Sequence, residues 1–269
     1  SSHRRQRQMC IRDRLIGQTV LNFFHIWQST FGILAIGGAI MLVWSHLRMP
    51  ETRPPEKRTS IAPKAIFEAY ATVFKTRLAL GYMLASGVIF GALFAFISSS
   101  EQIFNDIFQT PETFVFWFAG IAAAMSVANF TNSRIVEKFG QRVISHAAMI
   151  GFTFFSVVLL IVTHVFGPNL YVFMFFFTLV FMNFGFMGPN FNSMAMEPLG
   201  RIAGTASALL GFASTTMAAS IGGFIARQYD GTLIPVLMGY VGLGVVSLII
   251  VFVTEKGKLF GHGQDESAE

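Results

Sequence analysis

Three residues between two long apolar runs stand out for their chemistry. The stretch MGPNFNSMAMEPLGRIAGTASALLG, residues 187–211, contains one carboxylate, one proline and one arginine: Glu197, Pro198 and Arg201. Such charges can form ion pairs, and they are tolerated where a helix end meets water. The sequence has no catalytic triad, phosphate-binding glycine loop or HxxxH metal pair. We therefore predict no enzyme, no bound metal and no other cofactor.

A row of polar side chains precedes these charges. Asn183, Phe186, Asn190, Ser193 and Glu197 are separated by steps of three and four, so they share one face of a helix. Lipid cannot satisfy amide groups, which therefore face a bundle interior or a wet cavity. Two interpretations stay open: the amides bond neighbouring helices, or they line a substrate cavity.

Small residues recur along the segment that follows. They are spaced by three or four positions and comprise Gly204, Ala208, Gly211, Thr215, Ala218 and Gly222. Gly87 and Gly91 show the same spacing of small residues earlier in the chain. A stripe of small residues lets two helix backbones approach closely, so we predict helix packing here in preference to ligand binding.

The composition is that of a membrane protein. Hydrophobic residues make up 53% of the chain, charged residues only 12%, and 31 of the 269 residues are Phe. The net charge of +5 comes mostly from residues 1–14, which hold five arginines against one aspartate. The remainder is nearly neutral, and we expect no nucleic-acid partner.

The polar opening SSHRRQRQMCIRDR differs from everything after it. It has no initiator Met, and no small-residue cleavage site follows the short apolar run behind it. We interpret 1–14 as a non-native arm resembling adaptor read-through, with a genuine basic arm as the alternative. Cys10 is the only cysteine, so neither a disulfide framework nor a cysteine metal set is possible.

Apolar runs long enough to cross a bilayer predict an all-α polytopic membrane protein with seven complete spans. The spans are 31–47, 78–98, 114–133, 143–166, 170–194, 202–226 and 233–253, preceded by the tail of another at 15–24. The loop 48–77 is rich in Lys and Arg, whereas 99–113 carries only acidic charges. The positive-inside rule therefore places the loop and the tail 255–269 in the cytoplasm.

The loop 48–77 has two predicted parts. A proline-rich linker is followed by AIFEAYATVFKTR, in which Ile66, Tyr70, Val73 and Phe74 form one helical stripe. The stripe predicts a short helix lying in the inner membrane interface. The start of the next span is the alternative.

Several motifs carry a family resemblance. MPET after a span, the basic loop, NSRIVEKFGQR and AMEPLGRIAGTASALLGF together resemble the C-terminal half of a major facilitator superfamily transporter. EPLGRIAGTASALLG is similar to the bicyclomycin and chloramphenicol resistance branch of drug:proton antiporters. Arg134, Gly140 and Arg142 match the superfamily's basic cytoplasmic signature, whereas Asn132 and Glu137 do not give its usual Asp-Arg pair.

The resemblance covers 15–260 and implies a domain organisation. The complete spans correspond to spans six to twelve of a twelve-helix fold, with 15–47 holding the end of span five and span six. Residues 78–254 correspond to the C-terminal six-helix half. The family implies a bacterial inner membrane location and a missing N-terminal half of the same transporter as a partner.

The family's activity implies roles for particular residues. An amphipathic drug would leave the cell in exchange for protons, by alternating access. Phe90 and Phe94 would form an aromatic wall, with Asn183, Phe186 and Asn190 as a mixed polar stripe. The hairpin with Glu197 and Arg201 would gate the inner side, together with Arg134, Gly140 and Arg142; ordinary solvated turn charges are the alternative.

Proton coupling has no evident carrier in this sequence. Spans 78–253 contain no deeply placed acidic or basic residue, so the resemblance places the acidic carrier in the N-terminal half. We expect His146 and His164 to be interfacial. A heptahelical receptor is disfavoured because the last span lacks a lysine for retinal. A membrane-embedded structural or partner-binding subunit, a half-transporter remnant without transport, stays open.

Overall fold

The computed structural model describes residues 28–48 and 63–261, and the regular secondary structure of these ranges is entirely helical. The chain forms two compact units. One comprises 1–62 with 112–115, and the other comprises 63–111 with 116–269. The predicted arm 1–14, the span tail 15–24, the proline-rich linker and the end of the tail lie outside the described residues.

Eight α-helices are described. They are α1 Gln28–Arg48, α2 Pro63–Lys75, α3 Arg77–Gln102, α4 Phe114–Phe139, α5 Gln141–Phe166, α6 Leu170–Met196, α7 Ala203–Arg227 and α8 Ile234–Thr254. A π-helical turn, Ile103–Ile107, extends α3, and a 3-10 turn, Glu197–Ile202, joins α6 to α7.

Six helical segments in the described ranges are long and apolar enough to cross a membrane. They are Arg77–Ile107, Phe114–Phe139, Gln141–Phe166, Leu170–Gly200, Ala203–Arg227 and Ile234–Thr254. They coincide with six of the seven predicted spans. The seventh, 31–47, lies within α1, a helix of 21 residues that is not among the six. The all-helical membrane architecture is thus confirmed, whereas the count of seven stays a prediction.

Local backbone chemistry sets several helix boundaries. Gly140 and Gly167, with φ angles of 81° and 78°, lie at the two ends of α5, where a residue with a side chain would be strained. The side chain of Asn169 caps α6 by accepting hydrogen bonds from the backbone N–H groups of Tyr171 and Val172, at 3.0 and 3.2 Å.

The helix α3 lies at the centre of the larger unit. It packs against α6, α7 and α8, and 67% of the residues in its most apolar stretch are buried. Its contact with α7 requires glycine at one position. A Cβ atom at Gly222 would lie 2.5 Å from the Cβ atom of Phe94 and 2.8 Å from the carbonyl oxygen of Gly91. The small-residue pattern therefore has a physical reason here.

Aromatic rings fill the space between α3, α6 and α8. The Phe96 ring lies 5.1 Å from those of Phe177 and Phe181, and Tyr240 lies 5.6 Å from Phe177. Tilted and edge-on contacts of this kind suit the quadrupoles of aromatic rings. Part of the high phenylalanine content thus serves the protein core.

The short helix α2 is separate from α3, because Thr76 has an extended backbone between them (φ −85°, ψ 105°). Ala69 and Val73 are buried, and α2 packs against α7. Phe74 was predicted to share the stripe with Val73, but its side chain is 53% exposed. Consecutive residues on a helix point about 100° apart, so Val73 is buried while Phe74 is exposed, and the position of the stripe at the membrane interface stays a prediction.

Candidate functional site

A cavity of about 560 Å³ opens between α3, α4, α6 and α7. Residues from all four helices contribute to its wall. They are Ser86, Phe90, Leu93, Phe94, Met125, Asn129, Phe184, Gly188, Pro189, Asn192, Leu210, Gly211, Ser214 and Thr215. The volume lies in the range of small-molecule sites.

The aromatic wall of this cavity is built on α3. Phe90 and Phe94 are four residues apart, so their rings lie on the same helix face. Phe184 supports Phe90 by an edge-on contact with a centroid separation of 5.0 Å and an interplanar angle of 77°. Gly188 leaves room beside the Phe90 ring: a Cβ atom there would be 3.9 Å from it. The structure thus places both predicted aromatic residues in one cavity.

The polar lining groups are neutral. Asn129 donates an amide hydrogen to the carbonyl oxygen of Met125 on its own helix, at 3.1 Å. The exposed Asn192 amide has no hydrogen bond within the described part of the chain. Ser86, Ser214 and Thr215 add hydroxyl groups, and none of the described residues that line the cavity is charged. Such a wall can hold a flat apolar molecule and orient it by a few hydrogen bonds.

The predicted polar stripe of α6 lies elsewhere. Asn190 is buried against α4 and bonds to Asn132. Asn183 donates to the carbonyl oxygen of Leu179 at 2.8 Å and packs against Gly151 of α5. Neither these amides nor Phe186 is among the residues lining the cavity. The geometry favours interhelical bonding for Asn190, and substrate contact by these three residues stays a prediction.

Sequence reasoning missed Asn129 and Asn192 as lining residues. Asn129 and Asn132 are three positions apart and are the two amide residues of a mainly apolar span, and that spacing was a usable signal. Asn192 is two positions beyond Asn190 and therefore lies on a different helix face. Whether Asn192 faces the cavity depends on how α6 is rotated against the neighbouring helices, and the sequence of α6 does not specify that rotation.

A second cavity, of about 750 Å³, carries most of the predicted gating residues. We call it the charged cavity. Its wall comprises Val136, Glu137, Lys138, Phe139, Gly140, Gln141, Arg142, Val143, Ser193, Met194, Glu197 and Gly261. Gly140, Arg142 and Glu197 are thus brought together. Arg134 is outside this wall, with its guanidinium carbon 5.1 Å from the Phe130 ring centroid. The backbone of Arg201 lies in the 3-10 turn.

A polar cluster lies beside the charged cavity and joins the ends of α3, α5 and α8. The Arg142 Nε atom donates to Glu255 Oε1 at 3.2 Å, forming an ion pair. Tyr82 donates its hydroxyl proton to the same carboxylate oxygen at 2.5 Å. The Tyr82 hydroxyl oxygen also lies 3.1 Å from His146 Nε2. His146, expected at the membrane interface, is fully buried among these groups.

The small-residue stripe of α7 has two different surroundings. Gly222 and Ala218 are buried. Gly222 packs against α3 at Gly91, and Gly87 of α3 lies against Met217 of α7. Gly211 and Thr215 line the first cavity, so the stripe serves more than one surface. Gly204 and Ala208 are exposed, and an added Cβ atom at Gly204 would meet nothing within 4 Å.

Comparison with known proteins identifies the family. The family model described as Major Facilitator Superfamily matches residues 14–223, which is more than half of the chain. The chain belongs to the major facilitator superfamily. It is accordingly an integral membrane protein of a transporter family, and the family points to transport in place of enzyme activity.

Two curated relatives refine the comparison. A bicyclomycin resistance protein homolog from Haemophilus influenzae is 27% identical over 256 residues, which cover 93% of this chain and 62% of the relative. The uncharacterized MFS-type transporter YdgK from Bacillus subtilis is 28% identical over 202 residues, covering 72% of this chain and 48% of the relative. The chain thus spans between about half and two thirds of these relatives. No solved structure matches it.

Proposed function

We propose that this chain is part of a transporter that exports small amphipathic drugs across the bacterial inner membrane in exchange for protons, by alternating access. The observation that carries the proposal is the uncharged cavity walled by Phe90 and Phe94 among helices of membrane-spanning length. The superfamily match supports transport. The Haemophilus influenzae relative is named for bicyclomycin resistance, which supports an antibiotic as the substrate.

The cavity wall matches a flat, mainly apolar ligand. Stacking on an aromatic ring contributes about 0.5 to 1.5 kcal/mol beyond area burial, and a ligand cation over a ring face contributes about 0.5 to 2 kcal/mol. Asn129 and Asn192 would orient the ligand through neutral hydrogen bonds. Because the wall, as far as the structure describes it, carries no charge, recognition would depend on shape and aromatic contact, and such a site would accept more than one drug.

The proposal includes an organisation of the chain within a larger transporter. Residues 15–47 would hold the end of span five and span six, 48–77 a cytoplasmic linker with the interfacial helix, and 78–254 the C-terminal six-helix half. A cytoplasmic tail, 255–269, would follow. Coverage of only 62% of the Haemophilus influenzae relative is consistent with an N-terminal half outside this chain. That half would supply the second side of the substrate path and the acidic proton carrier.

The charged cavity would form the cytoplasmic gate of this transporter. This proposal is supported by the position of three residues around one cavity. Gly140 and Arg142 lie at the junction of α4 and α5, and Glu197 lies at the end of α6. In alternating access the ends of such helices separate and rejoin, and an ion pair at their junction would stabilise one of the two states. Arg134 and Arg201 would form gate contacts in the other of these two states.

Efflux by the full-length transporter tests the proposal. Cells that express it should tolerate more bicyclomycin than cells carrying an empty vector. Phe90→Ala should reduce the protection by about 5- to 10-fold, corresponding to about 1 to 1.5 kcal/mol of lost aromatic contact. Phe154→Ala is the matched control, since Phe154 is 58% exposed and does not line the cavity.

A second measurement addresses proton exchange. Adding drug to everted membrane vesicles that hold a pH gradient should dissipate the gradient, as reported by a pH-sensitive dye.

Two outcomes would contradict the proposal. Equal drug protection of cells by the Phe90→Ala variant and by the wild type would refute the assignment of the cavity as the drug site. Efflux that leaves the proton gradient unchanged would refute antiport while retaining drug export.

A further inference from the structure

The segment that follows α8 is held against the bundle by a buried histidine. The backbone N–H of Phe260 donates to His146 Nδ1 at 3.2 Å. The Phe260 ring also makes an edge-on contact with the imidazole, with centroids 5.8 Å apart. At its start the segment is bound through Glu255, which pairs with Arg142 and accepts a hydrogen bond from Tyr82. We call residues 255–261 the strap.

The hydrogen bonds around His146 define its protonation state. Tyr82 donates its proton to Glu255, so the Tyr82 hydroxyl oxygen is left to accept the hydrogen on His146 Nε2. His146 Nδ1 accepts from Phe260 and therefore carries no hydrogen. This network assigns the neutral tautomer with its proton on Nε2, and both ring nitrogens are satisfied.

The strap holds backbone conformations that need support. Lys256 and Phe260 have φ angles of 52° and 67°, in the left-handed region that residues with side chains rarely adopt. Such conformations persist where surrounding contacts impose them. Backbone hydrogen bonds hold the start of the strap, from Gly257 N–H to the carbonyl oxygen of Phe252 at 2.9 Å and from Lys258 N–H to that of Glu255 at 3.0 Å. At its end the backbone of Phe260 bonds to His146, so loss of the His146 bond allows the end of the strap to relax.

Release of the strap would change the charged cavity. Gly261, directly after Phe260, forms part of the cavity wall together with Arg142 and Glu197. The strap therefore covers one side of a space whose other sides are the α4–α5 connection and the end of α6.

We propose that His146 is a proton-binding latch for the strap: a proton at Nδ1 abolishes the acceptor for Phe260 N–H and releases the end of the strap, Phe260 and Gly261, from the charged cavity. The titratable or charged groups around the ring are Tyr82 from α3, Arg142 from α5 and Glu255 after α8; Glu197 faces Arg142. Because the ring is fully buried, a charge on it requires hydration, which couples protonation to opening. The latch does not depend on drug transport.

A spin label on the strap tests the latch. The 269-residue chain with Cys10→Ser and Gly261→Cys is labelled with a nitroxide and placed in lipid nanodiscs. A Cβ atom at position 261 makes an ordinary 3.7 Å contact, so the label should be tolerated. The continuous-wave spectrum should show an immobilised label at pH 8 and a mobile component at pH 5.

Two histidine variants separate the latch from general effects of pH. His146→Asn keeps an acceptor oxygen near the Nδ1 position but cannot bind a proton in this range, so its label should stay immobilised at both pH values. His164→Asn, at the opposite end of α5, should respond to pH as the wild type does. An unchanged wild-type spectrum between pH 8 and 5 would overturn the latch, as would a full pH response in His146→Asn.

Phe260→Pro gives an independent test if His146→Asn cannot be purified. Proline has no backbone N–H and cannot adopt a positive φ angle, so this substitution removes both the bond and the left-handed conformation at position 260, which lies after the last helix. The label should then be mobile already at pH 8. An immobilised label in this variant would show that the His146 bond does not hold the strap.

Discussion

Asn132 of α4 and Asn190 of α6 exchange side-chain hydrogen bonds inside the bundle. The Asn190 amide nitrogen lies 2.9 Å from the Asn132 amide oxygen, and the reverse pair lies at 3.4 Å. Both side chains are almost fully buried. Each amide thus supplies the partner that lipid cannot, and the pair fixes the register of α4 against α6 where Gly185 allows close approach.

The first prediction concerns this pair. Asn190→Leu should destabilise the helical bundle by about 1 to 2 kcal/mol, since it leaves the Asn132 amide buried without its partner. The double variant Asn132→Leu, Asn190→Leu should cost less than the sum of the single changes. Unfolding in mixed micelles with increasing SDS measures these differences. Strict additivity would show that the two amides are energetically independent.

Two adjacent glycines of α7 give the second prediction. Gly222→Ala should destabilise the protein by about 1 to 3 kcal/mol, because the added Cβ atom would overlap Phe94 and the α3 backbone. Gly223→Ala is the matched control: a Cβ atom there would meet nothing within 4 Å, and alanine favours a helix. Thermal unfolding in detergent should show a lower midpoint for Gly222→Ala only. Equal midpoints would refute the close approach of α3 and α7.

The third prediction addresses the polar side of the cavity. Asn192→Leu preserves the size of the side chain but removes the amide, so drugs that hydrogen-bond to it should lose about 5- to 10-fold in protection by the full-length transporter. A purely apolar dye should be exported as well as before. The ratio of the two export rates reads out selectivity independently of expression level. A uniform loss for both compounds would contradict a hydrogen-bonding role for Asn192.

The fourth prediction concerns a loop next to α7. Hydrogen bonds from the Thr232 hydroxyl and backbone N–H lower the pKa of Asp230 below its usual value. Thr232→Val removes the hydroxyl donor and should raise that pKa. The chain contains four aspartates, so selective carboxyl-carbon labelling gives a tractable NMR titration. As the pH falls through the folded-state pKa, the turn loses these bonds. An unaltered titration in Thr232→Val would contradict the assignment.

The sequence was sufficient to predict the helical spans but not the directions in which their faces point. The predicted span 170–194 corresponds closely to α6, Leu170–Met196, because apolar length is a local property. The polar row on α6 was also visible, but its partner depended on Asn132, which lies 58 positions away. Helix rotation is set by packing between helices, so periodicity alone left the two interpretations of the row undecided.

The polar cluster around His146 was even less predictable from the sequence than the polar row on α6. Tyr82 and Glu255 are 173 positions apart, and neither has a sequence signature that pairs it with the histidine. Phe90 and Phe94 were predicted as an aromatic wall from the family resemblance; the structure places both in one cavity, and their contact with substrate stays a prediction. Asn129 had a usable spacing signal that was missed, whereas Asn192 had none, because it lies on a face that only the three-dimensional arrangement assigns to the cavity.

The central claim, that the cavity between α3, α4, α6 and α7 binds drug from water, is tested most directly by thiol accessibility. In the full-length transporter in nanodiscs, with its other cysteines replaced by serine, Asn192→Cys should react with a membrane-impermeant maleimide, and bicyclomycin should slow the reaction. Asn190→Cys, on the buried side of the same helix, should react slowly with or without the drug. An unreactive Asn192→Cys, or one that the drug does not protect, would contradict the account.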